Sequence, residues 1–476
     1  MDKSYKKKTL ISTLSLFFQS GYSAILGLVA NVILTIVVSP VTFGIYITIL
    51  SIIAIFNYFS DIGLAAALIQ RKEINDNDLK TSFTIQQSMV LILITIGFFS
   101  TNLVKKFYHL PQNSLILYHA VLISFFLSSL KTIPSVLLER KIEFQKIVFV
   151  QIIENTFFYL SVIIFSLLKF DLFAFVVAVL ARSTAGLILI YSLSFWLPKI
   201  GFDKESFKKL VSFGLPFQTN SLLALIKDDL MILYLGKILG FEKLGYIGFA
   251  KKWAEAPIRI IMDNVSKVIF PLMARFQEEK EKLKNILEKI LFYQSIAILP
   301  AILGISLIMP RLTEIIPKYS KWQPALPILY IFSAAAIFSS YSTPFINFFN
   351  SIGKVKISFY FMVFWTALTW ILTPILTKMF NLYGFPLTLL ILSLTFILVL
   401  NIAKTIVKFS FLKPTMPAIF SSLIMFLAVF TFLKITITPL YSLFLAIFLG
   451  IISYTLSLTL IFKINLLKIY RLFYEK

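Results

Sequence analysis

The chain of 476 residues contains no cysteine and only two histidines, His109 and His119. The first absence excludes a disulfide framework, a thiol nucleophile and a thiolate metal site, and the second argues against a histidine-based metal centre. Acidic residues are also scarce, with 22 Asp and Glu against 45 Lys and Arg. Long polar segments are missing as well. The longest connections between apolar runs, 198–209 and 276–284, have only about a dozen residues each, too few to hold a folded domain. Any chemistry must therefore lie within the apolar runs or at their ends. This disfavours an enzyme such as a polytopic polysaccharide polymerase or glycosyltransferase, which needs a sizeable loop with clustered acids and bases.

Apolar sequence is what the chain has in quantity. Hydrophobic residues make up 58%, charged residues 14%, and the mean hydropathy is +0.89. The apolar runs reach or pass the roughly 20 residues that span a bilayer, so the fold class expected is an all-α polytopic membrane protein. A net charge of +23 would point to nucleic acid in a soluble chain. Here the basic residues sit in short connections, where they orient helices, so no nucleic-acid partner is expected. The basic start (Lys3, Lys6, Lys7, Lys8) precedes a long apolar run without a small-residue cleavage site and reads as a retained first helix.

About fourteen transmembrane helices are expected, with ends uncertain by roughly 2 to 4 residues. They lie near 10–37, 43–69, 80–104, 115–138, 144–168, 172–196, 210–235, 244–270, 284–309, 325–349, 357–379, 382–403, 416–435 and 440–462. The eighth contains "AKKWAEAPIRIIMDNVSKVIF" (Ala250 to Phe270), whose six charges would demote it in a hydropathy window. The distribution of Lys and Arg argues for keeping it. With fourteen spans and both termini cytoplasmic, about 28 basic residues fall inside and about 10 outside. Deleting the eighth span sends the basic clusters around 275–289, 404–413 and 463–476 to the outside.

The halves echo each other. "FQS" (Phe18 to Ser20) returns as "FQT" (Phe217 to Thr219), and "SPVTFGIY" (Ser39 to Tyr46) aligns with "GFEKLGYI" (Gly240 to Ile247), matching Gly44 to Gly245. Two duplicated six-helix lobes follow, with a pathway between them. The expected division is an N-terminal lobe 1–197, a polar cytoplasmic linker 198–209, a C-terminal lobe 210–410, and two further helices with a tail in 411–476.

Ionisable groups at membrane depth cost several kcal/mol unless they face a bundle interior, a wet cavity or one another. In the eighth span Lys251, Glu255, Arg259, Asp263 and Lys267 recur every four residues with alternating sign, so successive members can pair along the helix. Pro257 favours a kink there. The seventh span adds Lys227, Asp228 and Asp229, and the first lobe contributes Asn31, Lys131, Glu154 and Arg182. The cationic members suit a phosphate or pyrophosphate passing through a cavity. Mutual neutralisation of Glu255, Arg259 and Asp263 accounts equally well for those three. Lys131 and Lys267, near expected helix ends, read as snorkelling to the interface. Arg182, halfway along the sixth span, is too deep for that. Asp228 and Asp229 point about 100° apart on a helix, so at most one faces a given cavity; pairing with Lys227 and ion coupling account for them equally well. The aromatic run "SYSTPFINFFN" (Ser340 to Asn350) reads as packing.

"DIGLAAALIQRKEI" (Asp61 to Ile74), "PSVLLERKIEFQKI" (Pro134 to Ile147) and "FGIY" at the start of the second span resemble the polysaccharide branch of the multidrug, oligosaccharidyl-lipid and polysaccharide exporter superfamily. The similarity implies a flippase-like or MATE-like fold of two lobes around a central cavity, working by alternating access in the bacterial inner membrane. It implies an undecaprenyl-pyrophosphate-linked oligosaccharide of O-antigen, capsule or exopolysaccharide as substrate. Membrane lipids, a polysaccharide polymerase and a chain-length regulator are the implied partners. No cofactor beyond a coupling H+ or Na+ is implied, and no enzymatic activity. By residue type and helix, Arg259, Lys252 and Arg182, with Lys227 and Asn31, fall to pyrophosphate or glycan. Asp228, Asp229, Asp263 and Glu255 fall to ion coupling. The first span lacks both the cations of lipid II flippases and the acid of multidrug exporters, so a multidrug or organic-cation antiporter ranks second.

Overall fold

The computed structural model describes residues 15, 19, 21–23, 26–27, 29–435 and 439–464. Among these residues the chain is helical throughout, with no strand. Ten helical segments are long and apolar enough to cross a membrane. Packing divides the chain into two compact units, Met1–Gly245 and Tyr246–Lys476. That boundary falls downstream of the polar connection 198–209.

In the first unit the helices are α1 (Pro40–Asp61), α2 (Leu64–Gln70), α3 (Asp76–Phe99), α4 (Thr101–Tyr108), α5 (Ser114–Ser129), α6 (Thr132–Arg140), α7 (Phe144–Leu167), α8 (Leu172–Leu193), α9 (Lys204–Lys227) and α10 (Asp229–Leu239). Residues 29–37 of the first expected span are helical too. Some helix starts carry side-chain caps. The Ser39 hydroxyl accepts from the Thr42 amide ahead of Pro40, and Asn75 and Asp78 exchange side-chain to backbone bonds as a capping box.

Several spans expected to be continuous are broken. The second stops at Asp61 because Ile62 and Gly63 adopt φ of 47° and 74°, the left-handed conformation that ends helices. The seventh breaks at Asp228, which separates α9 from α10. The charged run Lys227, Asp228 and Asp229 marks the second break in the sequence, whereas the first follows an apolar stretch.

The glycine match between the halves has a structural counterpart. A Cβ on Gly44 would lie 1.9 Å from the Phe241 carbonyl oxygen, and one on Gly245 would lie 2.0 Å from that of Pro40. In the repeat alignment Pro40 corresponds to Phe241 and Gly44 to Gly245, so the contact is reciprocal. In each contact the glycine, having no side chain, lets the partner's backbone come this close. A second close pair joins Gly63 and Gly214, where a Cβ on either would fall 2.3 to 2.5 Å from a backbone oxygen. Of the "FQS" member of the other repeat only Gln19 is among the described residues.

The second unit contains α11 (Phe241–Arg275, its first turn belonging to the first unit), α12 (Lys280–Ile315), α13 (Leu326–Ser340), α14 (Ser342–Ser351), α15 (Val355–Phe380), α16 (Gly384–Leu394), α17 (Phe396–Ile406), α18 (Leu412–Ile435) and α19 (Pro439–Leu456). Phe345, Phe348 and Phe349 of α14 are fully buried in an apolar cluster, in keeping with packing as the role of that aromatic run.

Candidate functional site

Helix α11 is one uninterrupted helix of 35 residues and runs through Pro257. Met262 anchors one side of it against Ile298 and Ile302 of α12 and Ala336 of α13. The charged residues occupy the rest. Glu255 sits between two cations of its own helix, 3.0 Å from the Arg259 guanidinium and 3.8 Å from the Lys251 ammonium. Lys251 also lies over the Phe385 ring at 5.7 Å. The Arg259 side chain is 70% exposed while Glu255 is 27% exposed, so the arginine pairs through one edge and presents the rest of its fork. Lys252 is exposed and, seven residues from Arg259, falls on nearly the same face. Among the described residues this stretch of α11 carries one carboxylate, Glu255, and three cations, Lys251, Lys252 and Arg259. The expected neutralisation is thus found for Glu255 and Arg259, whereas the side chains of Asp263 and Lys267 lie outside the described residues.

Lys227, Asp228 and Asp229 occupy the break between α9 and α10. Asp228 is exposed in the turn, and Lys227 and Asp229 are half-buried. The two aspartates therefore do not share one continuous helix. Nearby, the Gln218 amide donates to the Tyr58 carbonyl at 3.1 Å and ties α9 to α1.

In the first unit the hairpin of α7 and α8 brings together groups far apart in sequence. Arg182, in the middle of α8, is exposed, yet it does not lie on the apolar exposed side of that helix. Phe173 and Ile188 mark that side, with 44% and 64% exposure, and nine residues from Phe173 place Arg182 about 180° away. Its own face carries Phe175, 1% exposed, and the buried Gly186. Arg182 is thus an exposed guanidinium on an otherwise buried face of α8. Phe158 lies under it at 5.9 Å, and Tyr46 stacks on Phe158 and on Phe175, with centroids 6.5 and 4.2 Å apart. Among the described residues no carboxylate pairs with Arg182.

Glu154 of α7 is 6% exposed, and its carboxylate accepts a hydrogen bond from Lys131, at the joint between α5 and α6. Lys131 is therefore an ion-pair partner inside the unit and does not snorkel outward as its position near a helix end implied. Gly186 makes room for this carboxylate, since a Cβ there would lie 1.6 Å from Glu154 Oε1. Sequence reading noticed Glu154 and Lys131 but not their partnership, because the register between α5, α6 and α7 is set by packing. Asn31 is buried, and among the described residues its side-chain oxygen has no hydrogen-bond partner.

The two quoted motif segments meet. Arg140, from "PSVLLERKIEFQKI", donates to the carbonyls of Leu68 at 2.6 Å, of Lys72 at 3.0 Å and of Arg71, closing the end of α2 within "DIGLAAALIQRKEI". Arg71 in turn pairs with Asp78 of the capping box. These arginines hold backbone in place, a role the sequence did not disclose.

The sequence pattern of a family described as "Polysaccharide biosynthesis protein" matches residues 33–327, which takes in both motif segments and α11. The chain belongs to that family. Among curated relatives, it is 24% identical to the lipopolysaccharide biosynthesis protein WzxC of Escherichia coli (strain K12) over 350 residues, covering 72% of this chain and 70% of the relative. It is also 24% identical to the teichuronic acid biosynthesis protein TuaB of Bacillus subtilis (strain 168), covering 63% and 62%. Of solved structures, the lipid II flippase MurJ in an inward closed conformation superposes with a TM-score of 0.73 at 16% identity over 95% of this chain and 99% of that one. An inward-facing MATE transporter gives 0.64 at 14% identity over 80% and 95%. The polysaccharide biosynthesis family member thus has the fold shared by MurJ and MATE transporters and is a multi-pass membrane protein.

Proposed function

We propose that this polysaccharide biosynthesis protein is a flippase. It moves undecaprenyl-pyrophosphate-linked oligosaccharide repeat units from the cytoplasmic to the outer leaflet of the bacterial inner membrane by alternating access. Flipping requires no covalent step, only a cavity whose affinity for the head group differs between two conformations. The observation that carries the reading is Arg182, a mid-helix guanidinium exposed on a buried face without a carboxylate partner among the described residues. A charge at that depth needs a counter-charge, and a diphosphate supplies one with fork geometry suited to arginine. Lys252 and Arg259 of α11 are assigned to the same substrate, with Lys227 and Asn31 as polar contacts. Glu255, Asp228, Asp229 and Asp263 are assigned to coupling by H+ or Na+. A polymerase and a chain-length regulator are the proposed downstream partners.

Arg182→Ala tests the reading in cells that depend on this protein for surface polysaccharide. Polymer should be lost while membrane levels of the protein stay normal. Normal polymer with the variant at normal level overturns the assignment of Arg182. Extrusion of a small organic cation from vesicles, with lipid-linked oligosaccharide left unmoved, would replace the flippase by an antiporter.

A further inference from the structure

Glu154 has two cations within reach and pairs with one. Its carboxylate occupies the notch at Gly186, and Arg182 lies four residues before that glycine, about 6 Å along α8 and about 40° round it. An arginine side chain spans that separation. The carboxylate instead accepts from Lys131, and Arg182 is left with the Phe158 face at 5.9 Å. The Lys131 backbone lies in the joint between α5 and α6, and its ammonium reaches from there to Glu154 on the α7–α8 hairpin.

We infer that Lys131 is a positioning residue that occupies Glu154 and so keeps Arg182 free for the diphosphate of the substrate. Without Lys131, Glu154 turns to Arg182, and the substrate must then displace an internal carboxylate. Buried charges seek partners because an unpaired one is expensive, so the exchange is driven by the solvation of Glu154 itself. Lys131 acts through Glu154 and does not touch the ligand. This inference rests on the reading of Arg182 given above.

The test measures binding of undecaprenyl diphosphate in detergent micelles to the purified full-length protein, with undecanol-containing micelles as blank. Lys131→Met should weaken binding by about tenfold or more, the scale of a lost hydrogen bond to a charged group. Adding Glu154→Gln should restore it to near the unmodified value, because the neutral amide no longer competes for Arg182. Glu154→Gln alone should bind at least as tightly as the unmodified protein. A merely structural role for the ion pair gives the opposite pattern, with the double variant no better than Lys131→Met. That result, unaltered binding by Lys131→Met, or a tenfold loss in Glu154→Gln alone, overturns the inference. If Lys131→Met does not fold, the Glu154→Gln and double variants, which lack the stranded carboxylate, decide it by the same criteria. Arg182→Ala separates the two readings. Full binding by this variant removes the diphosphate contact itself, whereas its loss together with no rescue by Glu154→Gln in Lys131→Met removes only the role of Lys131.

Discussion

Replacing Gly44 by alanine tests the reciprocal contact at the start of α1 and α11. The added methyl would lie 1.9 Å from the Phe241 carbonyl oxygen, against 3.4 Å for ordinary contact, so a retreat of about 1.5 Å is needed. The obstacle is backbone, which rotamer changes cannot move. Overpacking of this kind costs about 1 to 3 kcal/mol. Gly245→Ala meets the Pro40 carbonyl at 2.0 Å and should cost a similar amount. The two changes strain one crossing, and once the backbones have separated for the first methyl the second finds space. The double variant should therefore fall short of additivity by more than about 0.5 kcal/mol, the threshold of coupling between residues in contact. Gly304→Ala is the control. Nothing lies within 4 Å of its added methyl, and alanine within a helix is favoured over glycine by about 0.5 to 1 kcal/mol. Unfolding in detergent, followed by tryptophan fluorescence, should rank Gly304→Ala at or above the unmodified protein and both crossing variants below it. Gly44→Ala as stable as Gly304→Ala, or strict additivity of Gly44→Ala with Gly245→Ala, would refute the close crossing.

Three further outcomes are expected. Arg140→Gln removes the guanidinium that gathers the carbonyls of Leu68, Arg71 and Lys72; hydrogen bonds to charged groups are worth roughly 1.5 to 3 kcal/mol, and limited proteolysis should show faster cleavage in residues 62–75. Equal cleavage rates would leave the clamp without consequence. Arg259→Ala should abolish surface polysaccharide at unchanged membrane level, whereas Glu255→Gln should leave diphosphate binding intact and change only its dependence on the coupling ion; normal polymer from Arg259→Ala removes Arg259 from the mechanism. The Asp203 carboxylate is held below its usual range by the Ser206 amide and hydroxyl. Because the folded value is the lower one, its stabilisation of the α9 start is present at neutral pH and disappears as pH falls through that depressed value; exchange at the Ser206 amide, corrected for intrinsic rate, should accelerate in that acid range and not before.

Much of the architecture is legible in the chain because the bilayer imposes one dominant rule, that a span must be long, apolar and internally hydrogen-bonded. The chain is α-helical as expected, with ten segments among the described residues long and apolar enough to cross a membrane against the fourteen expected, and α11 is a continuous helix despite its charges. The glycine pair was legible for a related reason, since Gly44 and Gly245 keep the same offset from Pro40 and Phe241 in both repeats. The breaks at Ile62 and Asp228 were not. At the first, Gly63 packs closely against Gly214 from distant sequence, an approach that a reading of local sequence does not contain; at the second, the charged residues 227–229 were read as site candidates within one continuous span.

The charged residues divide along the same physical line. Pairs along one helix, such as Glu255 with Arg259, are visible because a spacing of four residues places both on one face. Pairs between helices are invisible, because their register depends on where small residues let the backbones or side chains approach. Glu154 illustrates this. Its burial is tolerable only because Gly186 leaves a space and Lys131 supplies a charge, and those residues lie on three different elements. Counting ionisable residues in spans therefore finds the right set of groups but cannot tell which are already neutralised. The functional candidates are those left over after pairing, and in the first unit that criterion selects Arg182 over Lys131, although both are basic residues inside apolar sequence.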